Sequence, residues 1–340
     1  MTLAQLQSFV LVARLGSVKA AAAELGVTEP AVSVAVGALR RELGDELFVR
    51  EGRGIALTAG GRRLAALAAE ILGLAEQARR SVAESSGQPR LMQVAVTGIV
   101  AEHIGPLIDA FSARDPELEV AVETASADAL AEMLEHRHAD IALGPPPAPE
   151  RAATIASVPF LRSRLVVVAA PGHRLAGHRD VRPAELDGER WLAGPEGVEP
   201  ATGAGLLFAR VGLEPRNVVS YTSHAAAIAA AAAGDGVVVA MAGLVASELR
   251  RRTLIRLDVR GTPLPEMWHA STLGFGRALP AALALQRFAT SPEATQALST
   301  GRAGAASARA RPRPHVTLWS SVVAGARPGA GDRMAPDAGG

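Results

Sequence analysis

Six polar side chains near the start of this chain have the types and spacing to read a polyanionic duplex: Thr28, Glu29, Ser33 and Arg40, followed by Arg50 and Arg53. A guanidinium grips phosphate or enters a minor groove, a hydroxyl contacts either strand, and a carboxylate accepts from cytosine N4. The same residues also suit the solvated face of an ordinary helical bundle, so their type alone does not choose. A second set lies further on, at Thr97-Gly98, Thr202-Gly203 and Ser223-His224. Hydroxyls and free amides at helix starts favour anions, which points to a small carboxylate or phosphate metabolite. Alternatively each hydroxyl only caps its helix. His136 and His138 stand near Glu132 and Glu135, as metal ligands can, but histidines at a helix C-terminus also suit the dipole.

Other chemistry lacks a carrier. Lys19 is the single lysine, and it sits in neither a phosphate-cradling loop nor a Schiff-base context. No cysteine is present, which removes thiolate chemistry, disulfides and cysteine-based zinc sites. There is no Gly-x-Ser-x-Gly elbow and no His-Glu-x-x-His. Gly203-Ala204-Gly205 and Gly234-Asp235-Gly236 do not complete a dinucleotide fingerprint. The expectation is a non-enzymatic protein without metal or cofactor.

These residues need elements to position them. Leu3, Leu6, Phe9, Val10 and Ala13 recur at helical spacing until Gly16; Ser17 opens a second helix that ends at Gly26. Thr28 can cap a third, with Pro30 in its first turn and Val32, Val36, Leu39 and Leu43 as its apolar stripe. Two helices, a tight turn and a third helix make a helix-turn-helix. Short strands at 47–49 and 55–57, separated by a glycine-bearing turn, read as a wing. After Thr58 comes a long helix in which Leu64, Leu67, Ile71, Leu74 and Ala78 are spaced three, four, three and four, the alternation of a coiled-coil seam. That seam either pairs two copies of the chain or packs on the chain's own following module; pairing is the expected use.

From residue 91 apolar runs at 92–96, 118–122, 141–143, 164–169, 218–221 and 237–240 alternate with helical stretches at 101–114, 127–136 and 225–233. This rhythm predicts open, mostly parallel sheets. The expected organisation is a winged helix-turn-helix at 1–58, a linker helix at 59–87 and a ligand-binding α/β module at 91–290. Within the module, 91–160 plus 268–290 form one subdomain and 163–266 the other. Residues 291–340, rich in Ala, Gly, Pro and Arg, are expected to be a disordered basic tail. A net charge of +1 decides nothing about partners. No apolar run is long enough for a membrane span and no export signal stands at the N-terminus, so the cytoplasm is the expected place.

Residues 6–61 resemble the LysR-type transcriptional regulators. The resemblance rests on Leu6-Gln7-Ser8-Phe9, Gly16-Ser17, Ala20-Ala21-Ala22, Glu24-Leu25, Val27-Thr28 and Pro30-Ala31-Val32-Ser33. It continues through Leu39, Glu42-Leu43-Gly44, Leu47-Phe48-Val49-Arg50 and Leu57-Thr58-Ala59-Gly60-Gly61. Weaker landmarks follow at Pro106-Leu107, Asp115-Pro116, Ala139-Asp140-Ile141-Ala142, Pro159-Phe160 and Trp268-His269. The resemblance implies a periplasmic-binding-protein-like module of two α/β subdomains with an effector cleft between them, and a dimer or tetramer. Its implied partners are promoter DNA, a small co-inducer and RNA polymerase. The chain departs from the family at Glu29, where Gln is common, and at Val34-Ala35, where Arg-Gln is common, which changes the bases that can be read. An α/β ligand-binding protein or enzyme carrying the bundle as an interaction module is the alternative.

Overall fold

The computed structural model describes residues 1–51, 54–199 and 202–300. They fall into two units, one spanning Met1–Ala69 and the other starting at Glu70.

In the first unit the Ser17 opening and the stops at Gly16 and Gly26 read from the sequence recur in coordinates. Helix α1 (Leu3–Leu15) begins with a capping box between Thr2 and Gln5 and ends at Gly16 in the left-handed region. Helix α2 (Val18–Leu25) is capped by the Ser17 hydroxyl, and α3 (Glu29–Leu43) follows after a bend of 110°. Leu6, Phe9, Val12, Ala21, Ala22, Val32, Val36 and Leu39 bury together with Leu47 and Phe48. Leu43 is exposed instead, because the stripe's last turn runs past this core. Strands β1 (Phe48–Glu51) and β2 (Gly54–Leu57) pair antiparallel as the wing.

Helix α4 (Ala59–Ser85) starts where Asp45 organises the corner: its carboxylate accepts from the Leu47 amide and the Thr58 hydroxyl. These bonds, with Thr58 foremost, hold the Asp45 carboxyl below the ordinary range. Thr58 in turn accepts from the Gly61 amide at 2.8 Å. A Cβ at Gly61 would stand 2.1 Å from the Leu47 carbonyl oxygen, and one at Gly60 2.0 Å from Asp45. The glycine pair is therefore required by close approach. Gly61→Ala should destabilise the first unit by about 1–3 kcal/mol through backbone displacement, read as an earlier loss of helical circular dichroism on heating; an unchanged melt would refute the close-packing account.

The second unit carries one sheet in the order β4-β3-β5-β11-β6-β9-β7-β8, with β10 on β6. Strands β3 (Arg90–Val96), β4 (Leu118–Thr124) and β5 (Ile141–Gly144) are parallel and form the first lobe with α5 (Gly98–Ala101), α6 (Gly105–Ser112) and α7 (Ala127–Glu135). Strand β6 (Ile155–Ala169) passes into the second lobe, which holds β7 (Arg190–Ala193), α8 (Gly203–Val211), β8 (Asn217–Ser220), α9 (His224–Ala233), β9 (Val237–Met241), α10 (Ala246–Arg251) and β10 (Ile255–Leu257). Strand β11 (Leu264–Leu273) runs back beside β6, and α11 (Pro280–Ala289) and α12 (Pro292–Thr300) close the first lobe.

The sheet is mixed, not mostly parallel, because β6 and β11 pair antiparallel over almost their whole length with a bulge between Trp268 and His269. The chain crosses between the lobes at 160–163, the middle of β6, and at 265–269, the first half of β11. Periodicity recovered only the end of β6 and missed β7, β10 and β11, whose short or two-sided burial leaves no clean alternation. The helix expected at 101–114 is broken in two before Gly105.

The tail expected from 291 onward begins with a helix instead. Ser291 accepts from the Ala294 amide, Ala294 is fully buried, and Glu293 pairs with Arg114, which lies over the Phe288 ring. Small apolar residues docking on α6 and α11 supply the burial that composition alone hid. Residues 301–340 lie outside the described residues.

Candidate functional site

The third helix presents Thr28, Glu29 and Ser33 to solvent. Thr28 is at the N-cap yet makes no side-chain cap hydrogen bond, which leaves its hydroxyl available for an outside acceptor. Val34 is 67% exposed on the same helix, an unusual use of a β-branched apolar residue unless it meets something such as a thymine methyl. Arg40 is engaged differently from expectation: its guanidinium lies 6.0 Å from the Phe48 ring centre and 3.7 Å from Glu46. Exposed Arg41, one position on, was overlooked; counting solvent-face steps from Ser33 and Gly37 would have found it. Arg50 is exposed on β1 opposite Ile55. Arg53 lies outside the described residues.

In the second unit, the predicted ligand residues converge only in part. Thr97 ends β3 but is buried, its methyl toward Gly144. Thr202 accepts from the Gly205 amide and donates to the Glu199 carbonyl, and Ser223 accepts from the Ala226 amide, so both hydroxyls cap helices. A small enclosed cavity of about 30 Å³ is lined by Ile99, Glu196, Thr202, Gly203, His224 and Glu266, among others from both lobes. Thr97, Gly98 and Ser223 are not in its wall.

Two carboxylates bridge the lobes here. Glu196, after β7, accepts from the Gly98 amide at 2.6 Å. Glu102, after α5, accepts from the His224 and Ala225 amides at 2.8 and 3.1 Å, at the start of α9. Burial pushes the Glu102 carboxyl up, but the His224 side chain and hydrogen bonds from the two amides outweigh it and hold the group below its ordinary range. The His224 ring lies where a Cβ on Gly194 would meet it at 2.5 Å, so only glycine at 194 leaves room for it. Its Nδ1, 3.8 Å from Glu102, is beyond hydrogen-bond distance and acts on that carboxylate by proximity, while the two amides make the bonds. Glu266, on β11 beside Ser163 of β6, is pushed up to about 7 by burial, against a lowering bond from Trp268. The amides expected to await an external anion are thus taken by internal ones.

Glu102, Glu196 and Glu266 carry no signal in the linear sequence beyond the turn composition Gly194-Pro195-Glu196-Gly197. Among the described residues no group of three or more His, Asp or Glu side chains is placed to hold a metal ion. No single helix among them is long and apolar enough to cross a membrane.

Comparison with known proteins settles what this arrangement belongs to. Residues 3–62 match the bacterial regulatory helix-turn-helix profile of the lysR family, and residues 84–292 match the LysR substrate binding domain. The chain belongs to the LysR family. It is a transcriptional regulator with a DNA-binding helix-turn-helix and an effector-binding module, not an enzyme. An uncharacterized HTH-type transcriptional regulator of Mycobacterium tuberculosis is 36% identical over 94% of this chain and 100% of its own length. A RuBisCO operon transcriptional regulator of Allochromatium vinosum is 31% identical over 86% of this chain and 97% of its own. In fold, the LysR family transcriptional regulator CbnR matches with a TM-score of 0.55 at 23% identity, over 85% of this chain and 98% of that one.

Proposed function

We propose that this LysR-family regulator senses its effector in the interlobe cavity and transmits the event through β6 and β11 to the α4 linker. The observation that carries the reading is the pair of carboxylate bridges, Glu196 to Gly98 and Glu102 to the start of α9, each with one partner, Glu196 or His224, in the cavity wall. At about 30 Å³ the cavity is far smaller than an ordinary metabolite site of roughly 300 Å³ or more. An effector therefore enters by parting the lobes, and an anionic one does so by displacing Glu196 or Glu102 from the amides. The paired middles of β6 and β11 are the natural bending point, since they alone carry the sheet from lobe to lobe.

The finer assignments rest on exposure, except that of Arg53, which rests on residue type and sequence position alone. Thr28, Glu29, Ser33, Val34 and Arg41 face the duplex in the major groove, while Arg50 and Arg53 of the wing hold phosphate. Leu64, Leu67, Ile71 and Leu74 form the seam of a dimer, a second copy covering the exposed apolar side of α4. RNA polymerase contact and assembly to a tetramer belong to the same reading, as does a cytoplasmic site of action.

The test is a footprint of the double variant Glu102→Ala/Glu196→Ala on the regulator's own promoter region, without added metabolite. Removing both bridges should change the pattern of protected and hypersensitive bases, and operator affinity should move by no more than the roughly 5- to 150-fold that a coupling of about 1–3 kcal/mol allows. A footprint identical to that of the parent would overturn the interlobe mechanism.

A further inference from the structure

We propose that the open groove between α4 and the first lobe is a second ligand site, one that takes a phosphate-bearing small molecule on the guanidinium groups of Arg137 and Arg277. This site is separate from the interlobe cavity and does not depend on that reading. The groove encloses about 400 Å³, the size of a metabolite site, and its wall includes Leu74, Gln77 and Ser81 of α4 together with Arg137, Arg277 and Leu279.

The charges in it are unbalanced. Arg137 donates only to neutral acceptors, the Gln77 side-chain oxygen at 2.9 Å and the Arg277 carbonyl at 3.1 Å. Its Nε is buried without a hydrogen-bond partner, and no carboxylate among the described residues pairs with it. Arg277 forms an ion pair with Glu70, and Arg80 is matched by Asp140 at 3.4 Å, so neither neighbouring carboxylate is left over for Arg137. Burial first and the neighbouring Arg277 charge second push the Arg137 guanidinium down from its ordinary value, by more than the nearby Glu70 and Asp140 carboxylates raise it. A half-buried guanidinium beside another one is costly unless an anion joins them, and the planar forks suit a phosphate's several oxygens.

The backbone holds Arg137 in place at a cost. It lies at φ 58°, in the left-handed region, where a side chain with a Cβ is uncommon. The α4 backbone is pressed onto the same corner: a Cβ at Gly73 would stand 2.0 Å from the His136 carbonyl oxygen and 2.8 Å from the Arg137 Cβ. A ligand on Arg137 and Arg277 therefore touches both the linker helix and the first lobe, and its binding would tighten one against the other.

The experiment is calorimetric titration of the full-length protein with inorganic phosphate, at constant ionic strength set with sodium chloride. Saturable binding with a Kd on the order of 1 mM is expected for so small a probe. Arg277→Gln, at a half-exposed position that should fold normally, and Arg137→Gln should each weaken it by about tenfold or more. Arg79→Gln, on the outer face of α4, should leave it unchanged and so controls for general charge. No saturable binding, or equal binding by all three variants, overturns the proposal. So does phosphate binding that appears only when the dimer seam is disrupted, because a second copy would then be the groove's occupant.

Discussion

The double variant Leu67→Glu/Ile71→Glu should run as a monomer in light scattering at concentrations where the parent is expected to run as a dimer. Leu67 is 59% exposed, Ile71 36%, Leu74 43% and Val82 68%, all on α4 and four, three and eight residues apart. Covering such side chains is worth roughly 1.5–3 kcal/mol each, so a monomer leaves several kcal/mol of association unused. Two carboxylates in a closed apolar seam instead cost several kcal/mol, which at about 1.4 kcal/mol per tenfold moves the dissociation constant by at least about a hundredfold. Operator affinity should fall with it, since two half-sites are no longer held by one linked pair of recognition helices. Because these side chains are already exposed in the single chain, its own melting temperature should hardly change. A variant that stays dimeric would remove α4 from the interface.

Glu266→Gln should stabilise the effector-binding module at alkaline pH and leave it unaffected under acid conditions. The carboxyl is pushed up to about 7 from 4.5 in the folded state, chiefly by burial. Below about pH 4.5 both folded and unfolded chains hold the proton, and no penalty exists. As the pH rises the unfolded chain ionises first, so the folded state loses stability until its own group ionises near 7, after which the loss is constant. About 2.5 pKa units correspond to roughly 3 kcal/mol. Gln keeps the size and the oxygen that accepts from Trp268 but never ionises, so the variant-minus-parent difference should rise from near zero at pH 4.5 to about 3 kcal/mol at pH 8. Denaturant titrations followed by tryptophan fluorescence measure it, Trp191 and Trp268 being fully buried reporters. A difference that does not vary with pH would mean that Glu266 titrates alike in the folded and unfolded chains, without the upward push from burial.

Local sequence determined the DNA-binding unit, because its information is local. Caps at Thr2, Ser17 and Thr58, left-handed turns at Gly16, Gly26 and Gly44 and the helical stripe through Val32, Val36 and Leu39 each act within a few residues. The apolar stripe on α4 is legible for the same reason, through a three-four spacing within one helix. Only tertiary structure decided the ligand chemistry. Glu196 meets Gly98 across 98 residues, Glu102 meets His224 across 122, and Arg137 meets Arg277 across 140. No spacing rule links such positions; the antiparallel pairing of β6 with β11 and the close approach permitted by Gly73 and Gly194 bring them together. Thr97, Thr202 and Ser223 were chosen because helix starts attract anions, but whether an amide there is vacant depends on what the opposite lobe puts against it. Here it puts carboxylates, and a carboxylate already bonded to an amide is indistinguishable in sequence from a solvated one.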